Sequence, residues 1–479
     1  MLYILLAVLA VLAALIAIVL IRTITFKPKN NVTTDESAVE FDKDMAIEAL
    51  RTLVRFKTVS NSDPSLEDDA EFDKLIDSLP ALYPSVFKVC TLDRLPDRGL
   101  LFKWAGRDSS RASVMMAHYD VVPVNEEGWD KPAFDAILEN GVIWGRGTLD
   151  TKVTFNGILS AAEKLISDGF VPDADVYFAF SGGEEVNGRG AVNIVDYFEE
   201  NNINVTLVVD EGGAVVENVF PGVTAPCGMI GIAEKGMMNL EYRVRSQGGH
   251  ASAPKPNSPL VALSRACTRM EDHPFKSHLT APVAEMFDTL GRHSSFVYRM
   301  IFANLWLFSG ILDIICKKSG GELNALMRTT VAFTQASASK APNVIPPDAK
   351  IISNIRLNPA DSIDGAVEYI KKTIKDDSIE LVPFDAMEPS RISVTDCPEW
   401  NKVASAVAST WRGCIVSPYL MVQCSDSRYY GRISDKVYRF SAMDLTSEER
   451  ATIHGNNERI RVDCALRAVE FYIRLLSLC

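Results

Sequence analysis

Two histidines of this sequence lie among acidic residues in a way that packing does not readily explain. The chain has six histidines in 479 residues; His118 precedes Asp120 after an apolar run, and His454 lies near the C-terminus. Among the acidic residues between the two histidines, four are candidate ligands or bases, and most of them end a strand-like run: Asp150, Glu184, Glu185 and Asp210. Imidazole nitrogens and carboxylate oxygens are ligands of hydrolytic metal ions, and two ions about 3.5–4 Å apart need a bridging carboxylate. The residue types therefore predict a site for two hydrolytic metal ions.

The acidic residues can have different roles in such a site. Asp150 suits the bridge, because each of its oxygens can bind one ion and the glycines before it allow a tight turn of the backbone. Neighbouring side chains of an extended segment diverge, so Glu185 can bind metal while Glu184 faces the attacking water as general base. Asp120 is placed to orient the imidazole of His118. Each pattern alone also fits a chance pair, a solvated surface or a helix cap, so the prediction depends on their joint occurrence.

The segments that carry these residues alternate between strand-like and helical patterns. Strand-like runs cover 99–104, 113–116, 174–180 and 205–209, and helical spacing covers 44–57, 151–168 and 191–200. This alternation predicts an α/β domain with a mostly parallel sheet. In such sheets ligands bind at the carboxyl ends of the strands, where the acidic residues and His118 are expected.

A different pattern begins near Cys227. Strand and helix patterns between 236 and 382 form two strand–helix–strand units, which predict a small α+β domain. From about Val394 the α/β pattern returns and carries His454. We therefore predict a catalytic domain in two sequence pieces, 42–226 and 393–479. The inserted α+β lid domain would cover 227–392 and contain an apolar insertion at 274–321.

The chain begins with an apolar segment, Leu2–Ile21, that has no charged residue, Pro or Gly and the length of a bilayer. A cleaved signal peptide is the alternative, but the segment lacks a basic region before it and exceeds the usual signal core. We predict a single-pass membrane anchor at 2–21 and a polar tether at 22–41. Arg22, Lys27 and Lys29 favour a cytoplasmic catalytic body. Large domains cross membranes regardless of such charges, so the side of the membrane stays open.

Within the apolar insertion, Phe296–Ile315 is rich in apolar and aromatic residues. It contains Arg299 and Asp313 and is interrupted by Ser309 and Gly310, so a second membrane span is not expected. Two interpretations remain, a helix buried against the lid domain or a surface that contacts membrane or accepts lipid.

The composition excludes some functions. The net charge of −13 provides no basic surplus to neutralise phosphates, so nucleic acid is not expected as a partner. The nine cysteines contain no CxxC pair and are scattered, which favours free thiols over a disulfide framework.

The ordered motifs resemble the di-zinc metallopeptidase family that includes aminoacylase, carboxypeptidase S, glutamate carboxypeptidase and succinyl-diaminopimelate desuccinylase. The motifs are His-x-Asp at 118–120, Gly-Arg-Gly-x-x-Asp at 145–150, Glu-Glu at 184–185, Asp210 and His454. The ligands that the resemblance implies are His118 and Asp210 for one zinc, Glu185 and His454 for the other, and Asp150 between them. Glu184 would be the general base, and Asp120 would steady His118.

The predicted lid also carries residues that resemble the family's. His250, in Gly-Gly-His-Ala-Ser at 248–252, resembles the lid histidine that helps to stabilise the oxyanion, sometimes across a dimer; capping of the next helix is the alternative. Asn343 and Arg356 resemble a substrate-binding pair, and Arg428 in Ser-Asp-Ser-Arg is another candidate. A guanidinium suits a free carboxylate, and a surface ion pair is the alternative for both arginines.

Within this family the sequence resembles carboxypeptidase S and the N-fatty-acyl-amino-acid hydrolase/synthases. The resemblance rests on Asp-Glu-Gly-Gly at 210–213, Asn-Leu-Trp-Leu-Phe at 304–308 and the N-terminal apolar segment. It implies a hydrolase of an amide or peptide bond next to a free-carboxylate amino acid, with two Zn²⁺ ions for which Co²⁺ or Mn²⁺ could substitute. An N-fatty-acyl amino acid amidohydrolase/synthase is the first alternative. A catalytically silent, membrane-tethered peptide-binding protein is the second, and a homodimer through the lid fits each.

Overall fold

The computed structural model describes residues 1–29, 32–218 and 220–479. Its helices are α1 (Leu2–Thr25), α2 (Lys43–Arg55), α3 (Asp69–Leu82), α4 (Pro84–Val89), α5 (Lys152–Ser167), α6 (Gly190–Glu200), α7 (Pro259–Asp272), α8 (Ala281–His293), α9 (Phe296–Ala303), α10 (Leu305–Ser319), α11 (Gly321–Met327), α12 (Ile363–Ile374), α13 (Pro398–Thr410), α14 (Ser447–Arg450) and α15 (Val462–Leu476). Its strands are β1 (Thr91–Leu95), β2 (Gly99–Trp104), β3 (Asp108–His118), β4 (Ile137–Glu139), β5 (Val142–Trp144), β6 (Ala174–Ser181), β7 (Val205–Val216), β8 (Cys227–Glu234), β9 (Gly236–Arg245), β10 (Gly249–His250), β11 (Thr330–Ser337), β12 (Val344–Ile345), β13 (Asp348–Leu357), β14 (Glu380–Met387), β15 (Ile415–Met421), β16 (Val437–Asp444) and β17 (Arg459–Arg461). Asn30 and Asn31, within the predicted tether at 22–41, lie outside the described residues.

The largest sheet has the strand order β1-β2-β6-β3-β7-β16-β8-β15. Strands β6, β3, β7 and β16 run parallel, whereas β1 and β2 are antiparallel at one edge. Helices α2, α5 and α15 pack on one face, and α6 packs on the other. Both faces of the parallel strands are covered, which explains why their sequences are continuous apolar runs. The predicted α/β class with a mostly parallel sheet is confirmed.

A second sheet of four antiparallel strands, ordered β11-β13-β9-β14, has a core of its own with α7 and α12. The start predicted for this unit at residue 227 differs from the structure. Strand β8 pairs with β15 and β16 in the large sheet, so the chain enters the second sheet only after Lys235. The pairing partners of β8 come from the C-terminal piece, and no local pattern reveals them. Two small antiparallel sheets, β17-β5-β4 and β10-β12, complete the described strands.

The apolar insertion packs on the large sheet. Helix α8 contacts β15, and Met286 and Phe287 of α8 share a core with Phe302 of α9 and Tyr419 of β15. Helices α9 and α10 meet at Asn304 with a bend of 110°. The interpretation of 296–315 as a helix buried against the lid domain is therefore wrong, because its buried side chains belong to the core beside β15.

Helix α1 is long and apolar enough to cross a membrane, and a signal sequence near the N-terminus has the same properties. Its side chains are mostly exposed, with Val19 and Thr23 buried against α9. The structure thus describes one apolar N-terminal helix that touches the folded body at its C-terminal end.

Candidate metal centre

Three neighbouring parallel strands carry the central residues of the site. Strand β3 ends at His118, Glu184 and Glu185 form a short helical turn just after β6, and Glu211 lies within β7. Asp150 precedes α5, where Gly147 adopts a positive φ of 87° that a side chain would disfavour. The carboxyl edge of the sheet thus gathers these side chains from distant parts of the sequence.

Asp150 lies between the two histidines. Its Oδ1 is 3.0 Å from Nε2 of His118, and its Oδ2 is 3.0 Å from Nε2 of His454. On the two outer sides, Glu185 Oε2 is 3.1 Å from His454 Nε2 and Glu211 Oε1 is 3.3 Å from His118 Nε2. The structure brings His118, Asp150, Glu185 and His454 into one cluster, with one carboxylate in the central position.

Asp120 contacts both His118 and the turn that carries Glu184 and Glu185. His118 Nδ1 lies 3.0 Å from the Asp120 carbonyl oxygen and 3.3 Å from its Oδ1. The backbone N–H groups of Glu184 and Glu185 donate to the Asp120 carboxylate at 3.2 Å each, and Ser60 Oγ donates to it at 2.6 Å. One buried carboxylate therefore orients the imidazole and fixes the turn that carries both glutamates.

Glu458 is a positioning residue that sequence reasoning missed. Its Oε2 accepts from Arg146 at 2.6 Å, and its Oε1 accepts from the backbone N–H of Leu149 at 2.7 Å and of Asp150 at 3.2 Å. Arg146 also donates to the carbonyl of Gly455 at 2.8 Å. The loop that carries Asp150 is thereby tied to the loop after His454. The acidic residue four positions after a predicted ligand was the available signal.

Asp210 is not in the cluster, contrary to the ligand assignment made from the sequence. Its carboxylate is buried and accepts from the backbone N–H of Ser427 at 3.0 Å. Glu211, the next residue, faces His118 instead, because successive side chains of a strand point to opposite faces. The strand is also irregular here, since the pairing register with β16 shifts after Asp210. A Cβ at Gly213 would lie 1.8 Å from the Met229 carbonyl oxygen, so the close approach requires glycine.

Burial raises the pKa values of several carboxyl groups in and beside the cluster. Burial raises the pKa of Glu184 well above its ordinary value, and the charges of Glu211 and Asp426 raise it further. Burial raises the pKa of Glu211 to about 7 and that of Asp426 to about 7. Asp426 accepts a hydrogen bond from Ser181 beneath the cluster. Such a concentration of acidic groups is what a bound cation would stabilise.

The pKa values of Asp150 and His454 shift in the directions that favour their charged forms. Burial alone would raise the pKa of Asp150, but hydrogen bonds from His118 and His454 lower it. Hydrogen bonds to Asp150 and Glu185 raise the pKa of His454 to about 10.

The donor set fits two divalent cations. Glu185 Oε1 is buried and has no hydrogen-bond partner among the described residues, so one donor atom is free. Because Nδ1 of His118 is engaged by Asp120, its Nε2 can direct a lone pair into the cluster. Two groups have ligand atoms within 4.8 Å of one another, His118 with Asp150 and Glu185, and His118 with Glu184 and Glu211. Imidazole and carboxylate donors suit zinc and also cobalt or manganese.

A cavity of about 540 Å³ begins at the cluster and extends into an apolar region. Its polar end includes Asp150, Glu185, Glu211 and His454. Its apolar walls come from β7, β16 and the helices α8 and α11, with Val216, Met286, Leu290, Leu323, Leu326 and Met443 among the lining residues. A cavity of this volume, apolar with a few polar groups at one end, is typical of sites for small ligands.

Arg450 also lines this cavity, one helical turn before His454. Its Nε is buried and has no hydrogen-bond partner among the described residues. No motif marks this arginine in the sequence. It is a guanidinium that a substrate carboxylate could reach.

The two arginines predicted to bind substrate are engaged by neighbouring residues. Arg428 is buried, 3.8 Å from Glu234, and donates to the Lys235 carbonyl at 3.3 Å. Arg356 donates to Asn354 at 3.1 Å and to Cys424 at 3.4 Å. Neither lines the cavity that begins at the cluster.

His250 lies in the small β10–β12 ribbon, and Asn343 directly precedes β12. The backbone N–H of Ala251 donates to the Asn343 carbonyl at 3.0 Å, and His250 pairs with Val344. The exposed ring of His250 hydrogen-bonds to Ser252 at 2.8 Å, and no contact among the described residues joins it to the cluster. The structure therefore brings these two candidates to each other but not to the cluster.

Comparison of the sequence with known families and proteins gives a consistent result. The model of "Peptidase family M20/M25/M40" matches residues 114–478. The "Probable carboxypeptidase S-like 2" of Dictyostelium discoideum is 32% identical over 468 residues, which cover 95% of this chain and 90% of that protein. The "N-fatty-acyl-amino acid synthase/hydrolase PM20D1" of Xenopus tropicalis is 34% identical over 471 residues, which cover 96% of this chain and 91% of that protein.

Solved structures with the same fold agree with this result. A crystal structure of an M20 family metallo-carboxypeptidase from Sulfolobus solfataricus superimposes with a TM-score of 0.64 at 18% identity, over 90% of this chain and 98% of that one. Human carnosine dipeptidase 1 superimposes with a TM-score of 0.62 at 13% identity, over 91% and 96% of the two chains. At these identities the likeness concerns the fold alone.

Proposed function

The chain belongs to peptidase family M20/M25/M40 and is a hydrolase of amide bonds, and from this premise we propose that it uses two metal ions to release a free amino acid from an N-acyl or peptidyl group. The observation that carries the proposal is the position of Asp150, whose two carboxylate oxygens each lie 3.0 Å from a different imidazole. That arrangement is what two neighbouring cations with a shared ligand require.

The proposed ligands are His118 and Glu211 for one ion, His454 and Glu185 for the other, and Asp150 for both. In this set Glu211 takes the ligand role that the family resemblance gave to Asp210. Glu211 lies 3.3 Å from His118, whereas the Asp210 carboxylate accepts a hydrogen bond from the backbone of Ser427. Zinc is the proposed metal, and cobalt or manganese would fit the same donors. When bound, such ions lower the pKa of water toward neutrality and polarise a carbonyl group.

The residues of the chain provide the proton transfers and the alignment. Glu184, partly buried beside Glu211 and His118, takes a proton from the attacking water and returns it to the leaving amine. Asp120 keeps the His118 ring and the 184–185 turn in place through the contacts described above. His250 is the proposed partner of the oxyanion. Because its ring bonds to Ser252 in this chain, it would reach the carbonyl by movement of the lid or from a second copy.

The apolar part of the cavity favours an acyl chain over a short peptide. Side chains such as Met286, Leu290 and Leu323 would surround a hydrocarbon chain whose amide carbonyl lies at the cluster. Arg450, at the same cavity one turn from His454, is the proposed receptor of the amino acid carboxylate. Arg428 and Arg356 remain candidates only if the cleft rearranges, since their guanidinium groups now bond to neighbouring residues.

A substrate series tests the proposal and separates the two substrate classes. Each buried methylene contributes about 0.8 kcal/mol, so kcat/KM for N-acyl amino acids should rise roughly fourfold per methylene until the cavity is filled. Met286→Trp should flatten this dependence, whereas Leu260→Trp, on an exposed position of α7, should leave it unchanged. Rates independent of chain length, with better hydrolysis of dipeptides, would favour a carboxypeptidase instead.

The metal part of the proposal needs its own measurement. The purified chain should contain about two zinc ions, and chelation should abolish hydrolysis of both substrate classes until zinc, cobalt or manganese is returned. Full activity in the metal-free protein would remove the two-metal assignment.

We also propose that α1 is retained as a single-pass membrane anchor. Its exposed apolar surface over 24 residues supports this assignment, and the mass of the mature protein would test it against a cleaved signal sequence.

A further inference from the structure

Helices α9 and α10 expose an apolar surface that the hydrolytic reaction does not use. Six of its large side chains are about half exposed, between 49% and 61%: Phe296, Val297, Trp306, Ile311, Ile314 and Ile315. The opposite sides of the two helices are buried in the core beside β15 through Phe302, Leu312 and Cys316. Both sides of this helix pair are therefore apolar, which is unusual for a surface that faces water.

The apolar surface adjoins α1. The side chain of Asn304, at the bend between α9 and α10, donates to the carbonyl of Val19 and to Thr23 Oγ1, at 3.3 Å each. Arg22 donates to the carbonyl of Ala303 at 3.0 Å. These contacts fix the bend of the helix pair against the C-terminal end of α1.

The segment after α1 is also fixed to the insertion. Arg292 of α8 lies over the ring of Phe26 at 4.2 Å and donates to the Lys27 carbonyl at 3.0 Å, and Lys29 pairs with Asp288 at 3.3 Å. The position of α1 relative to the apolar surface is thus set by several independent contacts.

The depth of the apolar surface follows from these contacts. The apolar run of α1 ends at Ile21, and Asn304 contacts Val19. At about 1.5 Å per residue, the bend lies level with the last turn of that run. If α1 crosses a membrane, the bend of α9 and α10 therefore lies at the boundary between acyl chains and headgroups, where amphipathic helices bind.

We propose that α9 and α10 form a surface that inserts into the outer part of a lipid bilayer beside α1. The 110° bend excludes that the pair crosses the bilayer as one straight helix and suits helices that lie along its surface. Lys317 and Lys318 end α10, and cations at such a position face the headgroup region. The proposal rests on the proposed anchor α1 but not on the proposed reaction, although α8 of the same insertion and the next helix, α11, also line the catalytic cavity.

Tryptophan fluorescence of the full chain in lipid nanodiscs tests the proposal. Trp306 is one of six tryptophans and lies within the apolar surface. Lipids brominated on the upper acyl chain should quench emission of the wild-type chain, and Trp306→Phe should lose most of the quenched component. The matched control Trp144→Phe, in the small sheet β17-β5-β4, should keep it.

Aqueous iodide provides the complementary measurement. In nanodiscs of ordinary lipid the Trp306 component, obtained as the difference between wild type and Trp306→Phe, should be protected from iodide. Quenching by iodide and not by brominated lipid would overturn the proposal, because the surface would then face water. Protection from both quenchers would also overturn it, in favour of a second copy of the chain on this surface. No outcome depends on hydrolytic activity, so failure here and failure of the proposed function are separable.

Discussion

Replacement of Glu458 by Gln tests whether this residue, which has no role in the proposed reaction, positions the loop that carries Asp150. The Glu458 and Arg146 side chains are almost fully buried, at 0% and 3% exposure, and form an ion pair at 2.6 Å. The other Glu458 oxygen accepts two backbone N–H groups, from Leu149 and Asp150. A glutamine can offer one acceptor oxygen to one of these two sets, and its NH₂ group must face the other set of donors.

The expected loss follows from this geometry. Breaking a buried ion pair on one side costs about 3–5 kcal/mol, because a buried charge is left without compensation. The lower end applies here, since Arg146 keeps its hydrogen bond to the Gly455 carbonyl and its place over the Trp129 ring. Because Glu458 also holds Asp150 by its backbone, metal affinity should fall by about 10- to 100-fold.

The assay consists of two measurements on the same variant. Urea unfolding in the presence of a chelator gives the change in the free energy of unfolding without metal, and competition with a fluorescent zinc chelator gives the affinity. Glu199→Gln is the matched control, because it breaks the exposed ion pair with Arg432 and should cost below about 1 kcal/mol. The reasoning is refuted if Glu458→Gln behaves like this control in both measurements.

Four further predictions test other parts of the structure. Glu184→Gln should keep two metal ions per chain and lower kcat by about 10²- to 10⁴-fold, and a rate near that of the wild type would exclude it as the general base. Glu211→Gln should weaken metal binding more than Asp210→Asn does, as measured by chelator competition, and the reverse order would restore the assignment made from the sequence. Arg450→Leu should raise KM for substrates with a free carboxylate and leave that of the matching amides unchanged; equal effects on both would reject the carboxylate receptor. Burial lowers the pKa of Lys235 to about 7 from 10.5, so at this group the folded protein binds fewer protons than the unfolded chain in that range, and its contribution to stability rises with pH. Lys235→Met should therefore make the slope of stability against pH less positive between about pH 7.5 and 9.5 in urea titrations, and an unchanged slope would refute this contribution.

Local patterns predicted the elements whose partners are close in sequence or whose apolar periodicity is strong. The strand predicted at 99–104 is β2 (Gly99–Trp104), and the helix predicted at 151–168 is α5 (Lys152–Ser167). Strand β8 was assigned to the wrong unit, because its partners β15 and β16 follow almost 200 residues later. Apolar periodicity reports burial but not which strand provides it.

The residues of the candidate site were likewise predicted only in part. His118, Asp150, Glu185 and His454 come together as the motifs predicted from residue type and order. The choice between Asp210 and Glu211 could not be made from the sequence, because it depends on a register shift against β16.

The arginines illustrate a second limit of sequence reasoning. Arg428 follows a recognisable motif, yet a buried glutamate from β8, Glu234, lies 3.8 Å from its guanidinium. Arg450 has no motif and lines the cavity. Whether a guanidinium is free depends on contacts across the fold, which residue type does not reveal.

The position of β16 has a consequence for biosynthesis. This strand, from the C-terminal piece, lies between β7 and β8, which are both made much earlier. The end of β7 pairs directly with β8, but residues 208–213 of β7 pair with β16. In a nascent chain this part of β7 therefore lacks its partner while roughly 200 further residues are added, which takes roughly 10–40 s at cellular rates of synthesis. During that interval the edge of β7 offers unpaired backbone groups to other chains. We expect that the emergence of β16, and not that of the early strands, is the step at which chaperones become dispensable.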